Sequence, residues 1–586
     1  MTTLTRPARL FAAAVLAGAL ALATAATPAR AADPATRWAD ATLRRMSLEE
    51  KVGQLFVNYV YGASADAADS RNTERYGVAT PAEVVAKYRL GGVIYFAWSD
   101  NVADQSKIAG LSNGLQRAAR DASPRTDIPL TISTDQETGL VARIGPPATE
   151  FAGAMALGAT RDPEATRTTY AITGRELRAF GINADYAPDA DVNVNPANPV
   201  IGVRSFGSRP DLVAEHVPQA IAGLQNAKVS AAAKHFPGHG DTNVDSHTGF
   251  PVINHTREEW ETIDAPPFRA AIEADADMIM TAHISVPALD PSGDPATLSE
   301  PIVTGILRDQ LGYDGVVVTD SLRMDAVRQN YPDAEVAVRA IEAGVDVLLD
   351  ANSPDVQYRA VIDAVRSGRL TEERIDQSVR RILAMKFERG AVAMWQTNPN
   401  LRDRVVGTAR NLATAQEIAD RSITQLTDAA DLVPLGAGRT LVTGAGTAPV
   451  DSLTRALRDG GADAEAHATA TNPDAAAITA AVERARTAGR AVVITNNTRA
   501  NSGQAALVDA LNSAGVPVVV VAVGVPYDIA YLDTESYLAS YSRNDVALRS
   551  VARVLTGQVD PSGRLPVDIP SADDPDEIIY EFGSGE

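Results

Sequence analysis

At 586 residues the chain exceeds what one hydrophobic core organises, so two domains are expected, and its 45% apolar content is that of a globular protein. A formal charge of −21 argues against nucleic acid as a partner, and the absence of cysteine excludes disulfides, thiolate metal sites and a lipid-modified cysteine anchor.

In chain order, residues 1–31 come first. Arg6 and Arg9 precede an apolar run over 10–23 and a small-residue site, Ala29-Arg30-Ala31, which predicts a cleaved secretory signal. A secreted, extracellular protein without a membrane anchor is expected, since the apolar run is short for a span and has no later counterpart.

From 50 to 350, short apolar or β-branched runs alternate with longer amphipathic stretches. Strands are predicted at 52–58, 92–97, 129–135, 182–188, 229–235, 277–283, 315–320 and 344–350. Eight such units predict an N-terminal (β/α)8 barrel of the TIM type over 32–395. Several of these runs end in Asp135, His235, His283, Asp320 or Asp350, at the strand ends where barrel active sites gather. A helical stretch at 370–388 closes the barrel, 396–415 reads as linker, and 416–586 reads as a smaller α/β sandwich. There, Gly444-Ala445-Gly446 lacks the third glycine of a dinucleotide fingerprint and reads as a plain strand-to-helix turn. No phosphate-loop or His-Glu-x-x-His motif occurs, so neither cofactor nor metal is expected.

After the fifth strand runs Lys234-His235-Phe236-Pro237-Gly238-His239-Gly240-Asp241-Thr242-Asn243-Val244-Asp245-Ser246-His247, holding three of the seven histidines. Proline and glycine forbid a regular helix, leaving a polar loop rich in proton-transfer groups over the barrel mouth. Asp245 and His247 flank one serine, so their side chains can meet; the pair suits general acid/base work, or else a turn fixed by Asp245 with a solvated histidine. Asp320 ends the run Val316-Val317-Val318-Thr319, either as a catalytic carboxylate or as the N-cap of a helix starting at Ser321.

The histidine run closely resembles the signature of the β-N-acetylhexosaminidase branch of glycoside hydrolase family 3. Asp135-Gln136-Glu137-Thr138-Gly139, Ile201-Gly202-Val203-Arg204-Ser205-Phe206-Gly207, Met280-Thr281-Ala282-His283 and Thr319-Asp320-Ser321 match in the expected order, across nearly the whole barrel region. The resemblance implies retaining, exo-acting hydrolysis of terminal N-acetylglucosamine through a covalent glycosyl-enzyme. Asp320 would be the nucleophile, His247 the acid/base and Asp245 its partner. Asp135, Arg204, Lys234 and His235 would hold the sugar, with His283 in the same pocket or simply packed, and His239 structural. Partners would be β-linked N-acetylglucosamine oligosaccharides from chitin or cell-wall glycan. Because some relatives transfer the sugar to phosphate, a phosphorylase is an alternative; a family 3 β-glucosidase or a non-catalytic glycan-binding barrel are others. Thr138 and Leu140 depart from the Asp-Gln-Glu-Gly-Gly-Arg pattern of many members, which puts the pocket rim and the leaving-group preference in question.

Overall fold

The computed structural model describes residues 33–585; the expected signal at 1–31 lies outside them. Eight strands build the N-terminal domain: β1 (Phe56–Tyr59), β2 (Gly92–Ile94), β3 (Thr131–Thr134), β4 (Ala184–Asp185), β5 (Ser230–Phe236), β6 (Met278–Thr281), β7 (Val316–Thr319) and β8 (Leu348–Leu349). They pair in the order β8-β1-β2-β3-β4-β5-β6-β7, all parallel. A parallel bridge between Val318 and Val347 joins the two ends, so the sheet curls into the expected barrel. Because helices cover its outside and side chains fill its inside, strands such as Val316–Thr319 are buried throughout and read as continuous apolar runs rather than alternating ones.

The strands are shorter than the apolar runs that announced them. The first run fails at its start: Val52, Gly53 and Gln54 belong to the helix Leu48–Gln54. A capping box sets that helix, with Glu50 N–H donating to Ser47 Oγ at 3.2 Å and Ser47 N–H to the Glu50 carboxylate at 2.8 Å. At the other ends, Asp135, Asp320 and Asp350 lie just past the last ladder residues, where the chain turns into the loops of the mouth.

The helix Glu372–Glu388 closes the barrel as expected and is tied to the first described helix by Arg380 Nε and Asp40 Oδ1 at 2.7 Å. Over 396–415 the chain is held to the barrel: Thr397 N–H donates to Asn113 Oδ1 at 2.9 Å, and Asn411 Nδ2 to Glu176 Oε1 at 2.9 Å.

The second domain is a six-stranded sheet of β9 (Thr424–Asp428), β10 (Arg439–Ala445), β11 (Asp463–Thr469), β12 (Ala491–Thr495), β13 (Val518–Ala522) and β14 (Ser536–Ala539). Its order is β9-β14-β13-β12-β10-β11, parallel except where β9 runs against β14. Alternation sorts its side chains to two faces. Val442, Val492, Val519 and Val521 meet Leu453 and Val551 of the helices Thr447–Asp459 and Asp545–Leu555 in one core. Leu441, Val493, Val518 and Val520 face the other way, towards Leu507 and Val508, in a core continuous with that of the barrel. Polar ties reinforce this docking, among them Asn544 Nδ2 to Phe151 O at 2.7 Å and Arg161 Nη2 to Leu565 O at 2.6 Å.

Candidate active site

The C-terminal ends of the barrel strands enclose a cavity of about 410 Å³. Asp135, Arg204, Lys234, His235, His247 and Asp320 all reach its wall, together with Glu137, Arg143 and Trp98, which sequence reasoning did not select.

Glu137 is its electrostatic centre. It follows Asp135 by two residues into a short hairpin of Gln136–Thr138 and Val141–Ala142. Arg204, at the end of the turn Gly202–Arg204, grips it with a fork: Nε to Oε2 at 2.8 Å and Nη2 to Oε1 at 2.9 Å. Lys234 Nζ, from the end of β5, lies 2.5 Å from Glu137 Oε1 and 3.3 Å from Asp135 Oδ1. Burial alone would raise the Glu137 carboxyl, but Arg204 and Lys234 overcome it and hold the group well below its usual range. Burial likewise disfavours the Lys234 ammonium, and Glu137 and Asp135 outweigh it, so the lysine stays charged. Asp135 also faces Arg143 Nη2 at 3.5 Å. The result is a rigid, charged rim of donors and acceptors suited to sugar hydroxyls.

His235 is fixed from both sides, with Nδ1 at 2.7 Å from Asp191 Oδ2 and Nε2 at 3.3 Å from Arg204 Nη2. Asp189, Asp191 and His235 bring three potential metal-ligand atoms within 4.8 Å of one another. Arg204 Nε stands 3.9 Å from Asp189 Oδ2, so a guanidinium already supplies the positive charge at that spot.

Asp320 follows β7. Its backbone N–H donates to Thr281 O at 3.1 Å and its Oδ1 accepts from Ser321 N–H at 2.7 Å. No helix starts at Ser321; the next one is Asp325–Arg328, which removes the N-cap reading. Burial pushes the carboxyl up, yet His235, His283, the Ser321 N–H and Lys234 together hold it below the usual range, as an anion.

The histidine loop is anchored at its base and free at its tip. His239 N–H donates to Asp191 Oδ1 at 2.7 Å, and Asn198 Nδ2 donates to the carbonyls of His239 and Gly240 at 2.9 and 3.0 Å. Gly240 has no alternative, since a Cβ there would lie 1.7 Å from Val192 O. His255 clamps the far side, with Nδ1 at 2.7 Å from Asp264 and Nε2 at 3.1 Å from Asp241; these two carboxylates raise it to about 10. Burial pushes His239 down to about 4, and its Nε2 meets Ser246 Oγ at 3.1 Å, so it braces the loop as a neutral ring. At the tip, Asp245 Oδ1 lies 2.8 Å from His247 Nδ1 and accepts the His247 N–H at 2.8 Å, while the His247 side chain is 63% exposed. The dyad that the spacing allowed is formed.

His283 takes the packed one of the two places expected for it. It is fully buried and absent from the cavity wall, with Nδ1 at 2.8 Å from Thr297 Oγ1 and Nε2 donating to Ser321 O at 3.0 Å. Both nitrogens are spent on the protein, so it steadies the Asp320 turn instead of meeting the sugar.

Two descriptions of known families cover the chain. The Glycosyl hydrolase family 3 N terminal domain matches residues 47–385, and the Glycosyl hydrolase family 3 C-terminal domain matches 397–585. The chain belongs to glycoside hydrolase family 3. Among its relatives, "Beta-hexosaminidase A" of Pseudoalteromonas piscicida is 39% identical over 383 residues, 60% of this chain and 63% of that one, hence under two thirds of the relative's length. The "Beta-N-acetylglucosaminidase/beta-glucosidase" of Cellulomonas fimi is 30% identical over 70% of each chain. A solved family 3 β-N-acetylglucosaminidase from Paenibacillus sp. str. FPU-7 superposes with a TM-score of 0.81 at 36% identity, covering 89% of this chain and 99% of its own. In this family 3 chain every residue of the cavity wall lies between 94 and 350, wholly within the N-terminal domain.

Proposed function

We propose that the protein is an exo-acting β-N-acetylhexosaminidase that releases terminal N-acetylglucosamine with retention of configuration. The observation that carries this reading is the Asp245–His247 pair, 2.8 Å apart, on a loop whose His247 shares one cavity with the buried anion Asp320. Relatives named for hexosaminidase and β-N-acetylglucosaminidase activity support the choice of sugar.

A carboxylate of Asp320 attacks the anomeric carbon, forming the glycosyl ester as the glycosidic C–O bond breaks. With Nδ1 held by Asp245, His247 uses Nε2, which gives its proton to the departing oxygen. The same nitrogen, now a base, takes a proton from water as that water attacks the anomeric carbon and expels Asp320. Asp135, Glu137, Arg204 and Lys234 orient the sugar through its hydroxyls and acetamide. We further infer export of the chain from the leader-like residues 1–31, which fractionation of the producing cell tests.

The test is hydrolysis of p-nitrophenyl β-N-acetylglucosaminide by wild type, Asp320→Ala and His247→Ala, with the β-glucoside as control. NMR of the first-formed anomer reads retention, and added phosphate tests an alternative acceptor. Turnover of the N-acetyl substrate that disappears with Asp320, giving the β-anomer, is expected. Inversion would refute the covalent route, and phosphate-dependent sugar phosphate would make the protein a phosphorylase.

A further inference from the structure

Two cavities open near the mouth of the barrel. The larger, of about 820 Å³, lies between the barrel and the C-terminal domain, whose loops at 496–500 and 541–544 form part of its wall, and it shares Val200 with the sugar cavity. No acidic residue stands on that wall. The sugar cavity is the reverse. Asp135, Glu137, Asp320 and Asp350 line it, and a further carboxyl, Asp185, is buried close to the first two without reaching the wall.

Asp185 ends β4, paired with Thr134 of β3 on one side and Ala231 of β5 on the other, and it is fully buried. Its Oδ1 accepts the Gln136 N–H at 2.8 Å. That amide lies between Asp135 and Glu137, so one hydrogen bond fixes the backbone from which both acids reach the cavity. The hairpin that starts here needs such a fix. Thr138 at its turn is held at φ 72°, in the left-handed region that a β-branched residue rarely enters and that persists only where the surroundings impose it. The other restraints act on the same short segment: Gln136 Oε1 accepts the N–H groups of Arg143 and Ile144 at 2.9 and 3.0 Å, and Tyr170 Oη donates to Glu137 O at 2.9 Å.

The other oxygen of Asp185, Oδ2, is buried and has no hydrogen-bond partner among the described residues. Other buried aspartates of the barrel differ: Asp346 meets Arg308 Nη2 at 2.6 Å and Asp277 meets Arg389 Nε at 2.5 Å. The charged and titratable groups that face Asp185 are Lys234, Asp135, Glu137 and Tyr170, and Lys234 is already taken by Asp135 and Glu137. A carboxylate at 185 would add a third anion to a buried set in which Asp135 and Glu137 already balance Lys234 and Arg204. We propose that Asp185 is a positioning residue, setting the reach of Asp135 and Glu137 to the terminal sugar, and that it does so as an uncharged acid. This rests on the hexosaminidase reading above. Burial, with Asp135 and Glu137, outweighs the Gln136 N–H and Lys234 and lifts the Asp185 carboxyl to about 8, so the neutral form prevails at pH 7.

The inhibition constant of N-acetylglucosamine against p-nitrophenyl β-N-acetylglucosaminide is measured at pH 7 and pH 9 for full-length wild type, Asp185→Asn and Asp185→Ala. It reports on the sugar site and leaves the proton transfers of His247 aside. A site that must hold a proton titrating near 8 is competent in about one molecule in ten at pH 9, so wild type should bind about 10-fold more weakly there than at pH 7. Asparagine still accepts the Gln136 N–H and cannot ionise, so Asp185→Asn should match wild type at pH 7 and keep that affinity at pH 9. Asp185→Ala leaves the Gln136 N–H unpaired and should weaken binding about 10-fold at both pH values. The asparagine variant decides the matter even if the alanine variant does not fold. Wild type binding equally at both pH values, or an asparagine variant that weakens at pH 9 as wild type does or is already about 10-fold weaker than wild type at pH 7, would overturn the uncharged acid. A folded alanine variant with wild-type affinity would overturn the positioning role and leave the hexosaminidase reading intact. Absence of p-nitrophenyl cleavage by wild type would overturn that reading, and this inference with it.

Discussion

Glu137→Gln tests whether the sugar cavity is organised by charge. In the native site two anions, Asp135 and Glu137, balance two cations, Lys234 and Arg204, and the Glu137 and Lys234 side chains are each only 3% exposed. Glutamine keeps the shape and one acceptor but leaves an unbalanced buried cation. The next anion is a poor substitute: Asp189 Oδ2 is 3.9 Å from Arg204 Nε, and burial beside Asp191 raises its carboxyl so that it resists ionisation. Removing one member of a buried ion pair typically costs 3–5 kcal/mol, and the retained acceptor puts the expected loss near the lower end, about 3 kcal/mol. The loss also has a pH signature. Glu137 titrates below its usual value of 4.5 when folded, so its contribution is complete above about pH 4.5 and declines as the pH falls through that value towards the lower folded one. Urea unfolding followed by a barrel signal, from pH 7 down to pH 3, should show a wild-type advantage that is flat near neutrality and narrows below pH 4.5. KM should rise as Arg204 loses its fork. A stability loss below about 1 kcal/mol, or a gap unchanged at pH 3, would refute the charge argument.

Other outcomes follow from the same geometry. His247→Ala should slow cleavage of oligosaccharides by about 10²–10⁴-fold, and p-nitrophenyl substrates less, because nitrophenolate departs without a proton; equal losses on both would remove His247 as the acid. His255→Gln should lower stability and loosen the loop at neutral pH. Because His255 is raised from 6.5 to about 10 by its two carboxylates, the difference from wild type should be full below pH 6.5 and vanish as the pH rises through 10, as read by thermal unfolding across pH. Gly240→Ala drives a methyl group into Val192 O and should cost about 1–3 kcal/mol while displacing the dyad, seen as a fall in kcat larger than the rise in KM. Trp98, 49% exposed and stacked on Phe96 at 4.9 Å, forms part of the cavity wall; its change to Ala should raise KM about 10-fold with kcat little altered.

The barrel was readable because a parallel sheet buried on both faces writes itself as apolar runs, of which Val316-Val317-Val318 is the plainest. Periodicity could not separate the run at 52–58 into helix and strand. The capping box of Ser47 and Glu50, present in the sequence, was the signal that separates them. Asp320, His247 and Asp135 stood out as acids and histidines at strand ends or in a glycine-rich loop. Glu137 did not, because its importance comes from Lys234 and Arg204, distant in sequence and met only in three dimensions. Asp191 was hidden for the same reason, although the alternation Asp189-Ala190-Asp191 just after β4 offered a clue. For His283 the sequence left pocket and packed positions open. A histidine at a strand end resembles a site residue, and only its bonds to Thr297 and Ser321 reveal that both nitrogens are occupied.

The wall of the cavity that holds Asp320 comes entirely from residues 94–350, whereas the adjoining interdomain cavity is half built by the C-terminal domain. The two walls are thus written largely in different stretches of the chain, with Val200 common to both. Substitutions in the loops at 496–500 and 541–544 therefore reshape the interdomain cavity without changing any residue on the wall that holds Asp320.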